Sequence, residues 1–175
     1  MYPWERVIPS QDSTLRIIHE AVKRGHEVSI THPSNLTIRE SVTLSLCKQI
    51  TLGGKLTSSI TSFYKMVKFD TKMCPLSEFD VIFMRDNPPL DGLVLNFLDS
   101  IKDDVFIMNA IDGLREANNK IYTAAYFDPE RELIPATHVS KNIDYLLRII
   151  EESENDKMIM KPLDGYGGSG VIIIE

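Results

Sequence analysis

Two short apolar runs flank a helical stretch. Phe79-Asp80-Val81-Ile82-Phe83-Met84 ends at Arg85, and Val105-Phe106-Ile107-Met108-Asn109 follows; between them Leu93, Leu95, Phe97, Leu98 and Ile101 mark a helix over residues 91–102. Runs this short and this apolar predict strands buried on both faces. Strand, helix, strand in succession predicts parallel pairing through a crossover, and with it an α/β fold.

The flanking segments extend that pattern. Over residues 12–24 the apolar positions Leu15, Ile18, Ala21 and Val22 recur at helical spacing, with Asp12 or Ser13 as N-cap and Gly25 in the stop position. His26-Glu27-Val28-Ser29-Ile30 then alternates as a strand. Residues 36–66 mix Ser, Thr, Leu and Ile without a helical period, which predicts a hairpin or meander turning at Gly53-Gly54 and decorating the sheet. Residues 113–127 are predicted helical, Thr137-His138-Val139 a short strand, and residues 142–154 an amphipathic helix carrying Ile143, Leu146, Leu147, Ile149 and Ile150. A strand over 157–161, a glycine loop, and Val171-Ile172-Ile173-Ile174 close the chain. The element order changes near residues 109–112, so a first domain over 1–112 and part of a second over 113–175 are expected. Both ends read as cut: a helix comes first where a strand should feed it, and the chain stops inside an apolar strand.

Size and composition agree. At roughly 150 residues per domain, 175 residues make one domain and part of another, and a chain this long buries roughly 70% of its unfolded surface without a metal or disulfide staple. A net charge of −6 argues against a nucleic-acid or anionic-membrane surface. Cys47 and Cys74 lack CxxC or Cys/His company, which suggests neither zinc nor disulfide and makes a reducing cytoplasm the default. Met1-Tyr2-Pro3-Trp4-Glu5-Arg6 has no apolar core for a secretion signal, and no apolar run approaches the ~20 residues of a membrane span.

Gly165-Tyr166-Gly167-Gly168-Ser169-Gly170 matches GxGxxG letter for letter. The dinucleotide-binding fingerprint needs a helix after its glycines, to present an N-terminus to the pyrophosphate, whereas here a β-branched strand follows. Nor is it a P-loop, since no Lys-Ser/Thr follows the last glycine. Strand, glycine loop, strand makes a hairpin lid whose bare backbone can close over the phosphates of a nucleoside triphosphate; a tight turn without a ligand is the alternative. Lys161, at the strand end before the loop, and Lys120, in a helical stretch, are the candidate phosphate partners, although either could be an ordinary solvated lysine.

Taken together, Asp12-Ser13-Thr14, Met84-Arg85 leading into Pro88-Pro89-Leu90-Asp91, Leu114-Arg115 through Asn119-Lys120 and Thr123, and Lys161-Pro162-Leu163-Asp164-Gly165 with Gly167-Gly168 resemble the prokaryotic glutathione synthetases, which are ATP-grasp ligases. Lys-Pro-Leu-Asp-Gly with the glycine pair is the most specific of the four. The chain resembles the front half of such an enzyme. Two positions depart from the family pattern: Asn87 stands where Asp is usual and Asn119 where Glu is usual, each removing a charge.

The resemblance implies a Rossmann-like pre-ATP-grasp domain followed by the start of an ATP-grasp domain. It implies an ATP-dependent C–N ligase of the cytoplasm that phosphorylates a carboxylate of γ-glutamylcysteine and lets glycine displace the phosphate to give glutathione. Lys120 and Lys161 would contact ATP, and Gly165, Tyr166, Gly167, Gly168, Ser169 and Gly170 would close on the triphosphate and keep water from the acyl phosphate. Magnesium ligands belong to the half of the family pattern that this chain does not match, so the 175 residues alone are expected to be inactive. Small-molecule substrates are the expected partners, with homo-oligomerisation implied by the resemblance alone.

Arg85, at the carboxyl end of a strand, is a candidate carboxylate-binding residue or an ion-pair partner of Asp86 or Asp91. Asp12 and Ser13 could line the substrate loop, though helix capping explains both. His19, His26, His32 and His138 show no metal-ligand spacing and are expected at the surface or satisfied in the core. Met84, Phe97, Met108, Tyr122 and Tyr145 read as core, and Trp4 as exposed in this chain. Another ATP-grasp carboxylate–amine ligase, or a non-catalytic α/β module derived from one, are the alternative functions.

Overall fold

A computed structural model describes residues 3–117, 119–153 and 157–175. The expectations touching Met1, Tyr2, Asn118 and Glu154 lie outside the described residues. Two compact units are present, one made of the residues up to Asp86 with Asp91–Ile111, the other of Asn87–Leu90 with Asp112–Glu175.

In the first unit, helix α1 (Ser13–Lys23) starts at Asp12, whose carboxylate accepts the Leu15 N–H at 2.6 Å. It ends before Gly25, whose φ of +86° suits the residue that follows a helix. Leu15 and Ile18 are buried, as is His19, whose Nε2–H donates to the Thr57 carbonyl at 2.7 Å. The predicted strand after it shrinks to β1 (Ser29–Ile30), and it pairs antiparallel rather than entering a parallel repeat.

Its partner belongs to the largest sheet, built from the stretch expected only to decorate one. Strands β2 (Leu36–Arg39), β3 (Val42–Leu52) and β4 (Val67–Pro75) are antiparallel, with β3 central, β4 along one edge and β1 and β2 along the other. The β2–β3 turn is Glu40-Ser41, both at positive φ (51° and 66°), as a two-residue hairpin loop demands, and not Gly53-Gly54. The glycines end β3 instead. A Cβ on Gly53 would stand 3.3 Å from Lys68 Cε, so glycine serves close approach there. Residues 60–66 are helix α2 (Ile60–Met66), capped by Ser59, not strand.

Strand β3 changes its covered face midway. Thr43, Ser45 and Cys47 are buried at one end, with Thr43 hydrogen-bonded to Ser100 at 2.7 Å. At the other end the opposite face, with Ile50 and Leu52, packs on the core of Trp4, Val7, Leu15, Ile18, Ile30 and Phe63. Trp4 is therefore buried, not exposed: its ring stacks on Tyr64 (5.0 Å) and meets Phe69 edge-on (5.2 Å). Each large side chain buried this way contributes roughly 1.5–3 kcal/mol.

Strands β5 (Val81–Phe83) and β6 (Phe106–Met108), joined through helix α3 (Gly92–Asp99), pair in parallel as the sequence predicts. They are not buried on both faces. Ile82 and Ile107 are half-buried, while Val81, Phe83, Phe106 and Met108 are exposed. One crossover helix, with Val94, Leu95 and Leu98 buried, can cover only one face of a two-stranded ladder.

In the second unit the helical stretch breaks into α4 (Ile111–Ala117) and α5 (Lys120–Ala124), because Asn119 caps a new helix by accepting the Ile121 N–H at 2.9 Å. No strand forms at residues 137–139, where Thr137 turns its hydroxyl back to the Pro135 carbonyl at 2.7 Å. Helix α6 (Ile143–Glu151), capped by Asn142, buries none of its residues. Tyr122 and Tyr145 are exposed, as is Met108 of the first unit, and Met84 and Phe97 are half-buried. Burial needs a second layer, and the described elements of this unit are short helices and one hairpin. That hairpin is β7 (Met158–Met160) against β8 (Ile172–Ile174). Cys47 and Cys74 are free and buried, and no described helix is long and apolar enough to cross a membrane.

Candidate functional site

The β7–β8 hairpin carries the glycine loop. Met158, Ile159 and Met160 pair with Ile174, Ile173 and Ile172, so residues 161–171 form the connection. Within it the Ser169 N–H donates to the Tyr166 carbonyl (3.2 Å) and the Val171 N–H to that of Gly168 (3.3 Å), two tight turns in succession. Gly167, Gly168 and Gly170 have φ of +62°, +79° and +73°, a region that side chains disfavour. A Cβ on Gly167 or Gly168 would meet nothing within 4 Å; it would fill the open space over the loop, where a ligand could approach bare backbone. Gly165 and Gly170 are different, since a Cβ on either would stand 3.1 Å from Pro162 Cγ.

Lys120 joins this loop. Its ammonium, at the start of α5, donates to the carbonyls of Leu163 (3.1 Å) and Gly165 (3.0 Å). Lys161, at the strand end, is exposed and has no hydrogen bond or ion pair with any described residue. Two cations and a bare backbone loop thus share one end of the hairpin, a donor-rich arrangement suited to phosphate oxygens. These residues suit the phosphates of a nucleoside triphosphate, whereas among the described residues no cluster of three or more His, Cys, Asp or Glu could hold a metal ion.

The other candidates meet in the first unit. Arg85, just past β5, donates from Nη2 to Ser13 Oγ (2.9 Å) and from Nε to Thr14 Oγ1 (3.3 Å). Asp12 is engaged as the α1 cap, and Asp91 caps α3 through the Leu93 N–H at 2.8 Å. Arg85 is exposed.

One feature carried no sequence signal. An open cavity of about 210 Å³ is lined by Ala124, Tyr126, Asp128, Arg131, Thr137 and His138, among others. The Asp128 carboxylate accepts the N–H groups of Ile134 (2.8 Å) and Leu133 (3.0 Å), which holds its carboxyl below the usual range. The fold-back of Asp128 onto residues 133–134 runs through backbone N–H groups, which carry no residue-type signal.

Residues 1–115 match the family described as prokaryotic glutathione synthetase, N-terminal domain, and residues 119–175 match the prokaryotic glutathione synthetase, ATP-grasp domain. Similar proteins include a glutathione synthetase of Gloeobacter violaceus, 28% identical over 98% of this chain and 52% of its own length. Others are the glutathione synthetases of Vibrio cholerae, 28% identical over 100% of this chain and 52% of its own, and of Buchnera aphidicola, 30% identical over 98% and 51%. The chain spans about half the length of the curated relatives it matches.

Proposed function

The chain belongs to the prokaryotic glutathione synthetase family, and on that premise we propose that it supplies the front part of a ligase joining γ-glutamylcysteine to glycine with ATP. The observation that carries the reading is the hairpin end where Lys120 meets the glycine loop beside Lys161. Phosphoryl transfer asks a protein for positioning and charge neutralisation more than for covalent help. Lys120 and Lys161 would face the phosphates, and the loop from Gly165 to Gly170, with Tyr166 and Ser169, would close over them and exclude water.

The reaction consumes ATP in two balanced steps. A carboxylate oxygen of γ-glutamylcysteine takes the γ-phosphoryl group and ADP leaves; the glycine amine then attacks the acyl carbon, and phosphate leaves as the amide forms. Arg85 would orient a substrate carboxylate from beside Ser13 and Asp12. Magnesium would assist the phosphoryl transfer, and the described residues include no cluster to assign to it. The same reading carries a domain division at residues 112–113, where the element order changes, a cytoplasmic location, in keeping with two free cysteines, and a homo-oligomeric state, for which the family likeness is the support. The names of the relatives favour this reading over another carboxylate–amine ligase or a non-catalytic module.

Two measurements test it. Calorimetric titration of the 175-residue chain should show ATP binding without turnover. A gene product as long as the relatives should release phosphate only when ATP, γ-glutamylcysteine and glycine are all present. Turnover with other carboxylates but with no γ-glutamyl substrate would sink the assignment.

A further inference from the structure

Lys120 is engaged by the glycine loop itself. Its two acceptors, the carbonyls of Leu163 and Gly165, lie where the chain enters the glycine loop. An ammonium has three N–H donors and no acceptor capacity, so two are committed to the loop's root and one remains. A cation shared by two carbonyls draws them to one point with charge-assisted bonds, stronger than those between neutral groups. The loop is already bent around that point. The Pro162 ring stands against both Gly165 and Gly170, filling the space a Cβ would need at either end of the loop. The N–H groups of Ser169 and Val171 close the two turns between.

We propose that Lys120 is a positioning residue that latches the root of the glycine loop in its bent form through Leu163 and Gly165, leaving its third N–H for a ligand oxygen. This rests on the ATP-binding reading and deepens it, since the ammonium that would meet a phosphate also sets where the loop's backbone N–H groups point. Lys161 provides the contrast. It has no described partner, so its ammonium holds no part of the loop in place, whereas Lys120 joins charge to loop geometry. Methionine at position 120 would keep the apolar stem and lose every donor; arginine would keep donors and charge.

Amide hydrogen exchange on the whole 175-residue chain, without nucleotide, tests the latch. Lys120→Met should speed exchange at Ser169 and Val171 at least tenfold, Lys120→Arg should restore most of the protection, and amides of β7, β8 and α1 should not change. Equal loop exchange in Lys120→Met and the wild type would overturn the proposal, as would a loosening spread through β7 and β8 that arginine does not rescue. ATP titrated into the wild type separates the two readings. Binding that slows exchange at Ser169 and Val171 supports both; absence of binding alongside a methionine-sensitive loop removes the nucleotide reading and leaves the latch standing.

Discussion

Arg85 donates from Nη2 to Ser13 Oγ at 2.9 Å, tying the end of β5 to the first turn of α1. Two segments far apart in sequence are thereby held at one point of the first unit, and the contact uses a side chain already suspected of reading a carboxylate. The Nε donor goes to Thr14, so two donor positions of the guanidinium are held by the first turn of α1.

Ser13→Ala should therefore cost little stability, about 0.5–1 kcal/mol in urea unfolding, because the lost bond is exposed. Asp12→Ala should cost about 1 kcal/mol through loss of the cap on Leu15. In a protein as long as the relatives, Arg85→Ala should weaken γ-glutamylcysteine, seen as a raised KM, while leaving the KM for ATP within twofold. Equal effects on both substrates would count against Arg85 as the carboxylate partner.

The glycine loop gives a second prediction. Gly168 holds φ at +79° with open space where a Cβ would be, so Gly168→Ala meets no clash, only backbone strain of about 1–2 kcal/mol. That strain is local. ATP affinity should fall about tenfold by calorimetric titration, whereas the thermal midpoint of the first unit should stay put.

Legibility in the sequence followed the number of covers each element has. Helix α1 was readable to within one residue of its cap, Asp12 of the two candidates, because one apolar stripe meets one core, and the parallel β5–β6 pair because a crossover helix separates two apolar runs. Strand β3 was legible only as part of a hairpin or meander, and not in its length or its faces, because its early half buries Thr43, Ser45 and Cys47 on one face and its later half turns Ile50 and Leu52 to the other. No single alternation survives that change. Glu40-Ser41 hid the true turn, since neither residue advertises positive φ, while Gly53-Gly54 advertised a turn and instead follows the end of β3, with Gly53 alone in close approach to Lys68. At the site, the glycine loop was legible as a motif, but the Lys120 bonds to Leu163 and Gly165 join backbone groups that carry no residue-type signal.

Trp4 supplies a reporter for the first unit, being the single tryptophan in the chain. Its emission should be blue-shifted in the folded protein and move to the red on unfolding, since its ring lies between Tyr64 and Phe69. Tyr64→Phe keeps the stacking and removes the hydroxyl that donates to the Trp4 carbonyl at 2.9 Å. A loss of about 1 kcal/mol, read from that fluorescence in urea, is expected. No loss would mean that water replaces the hydroxyl at no cost.

The last prediction concerns pH. Burial, and next the neighbouring Cys74 thiol, push the Cys47 thiol up from 9.0 to about 11. An acid whose folded pKa is raised is held neutral by the fold, so between those values the unfolded chain has released a proton that the folded chain still holds. Stability is therefore fully present below pH 9 and declines as pH rises toward about 11. The loss should be on the order of 1–3 kcal/mol, since each unit between the two values is worth about 1.4 kcal/mol. Lysines and tyrosines also titrate there, so the measurement is a comparison of urea midpoints from pH 8 to 11 in the wild type and Cys47→Ala. The alanine protein starts less stable, having lost buried sulfur, but should show the shallower decline, because it has removed the proton whose release unfolding favours. Parallel declines in the two proteins would mean that Cys47 ionises as readily folded as unfolded.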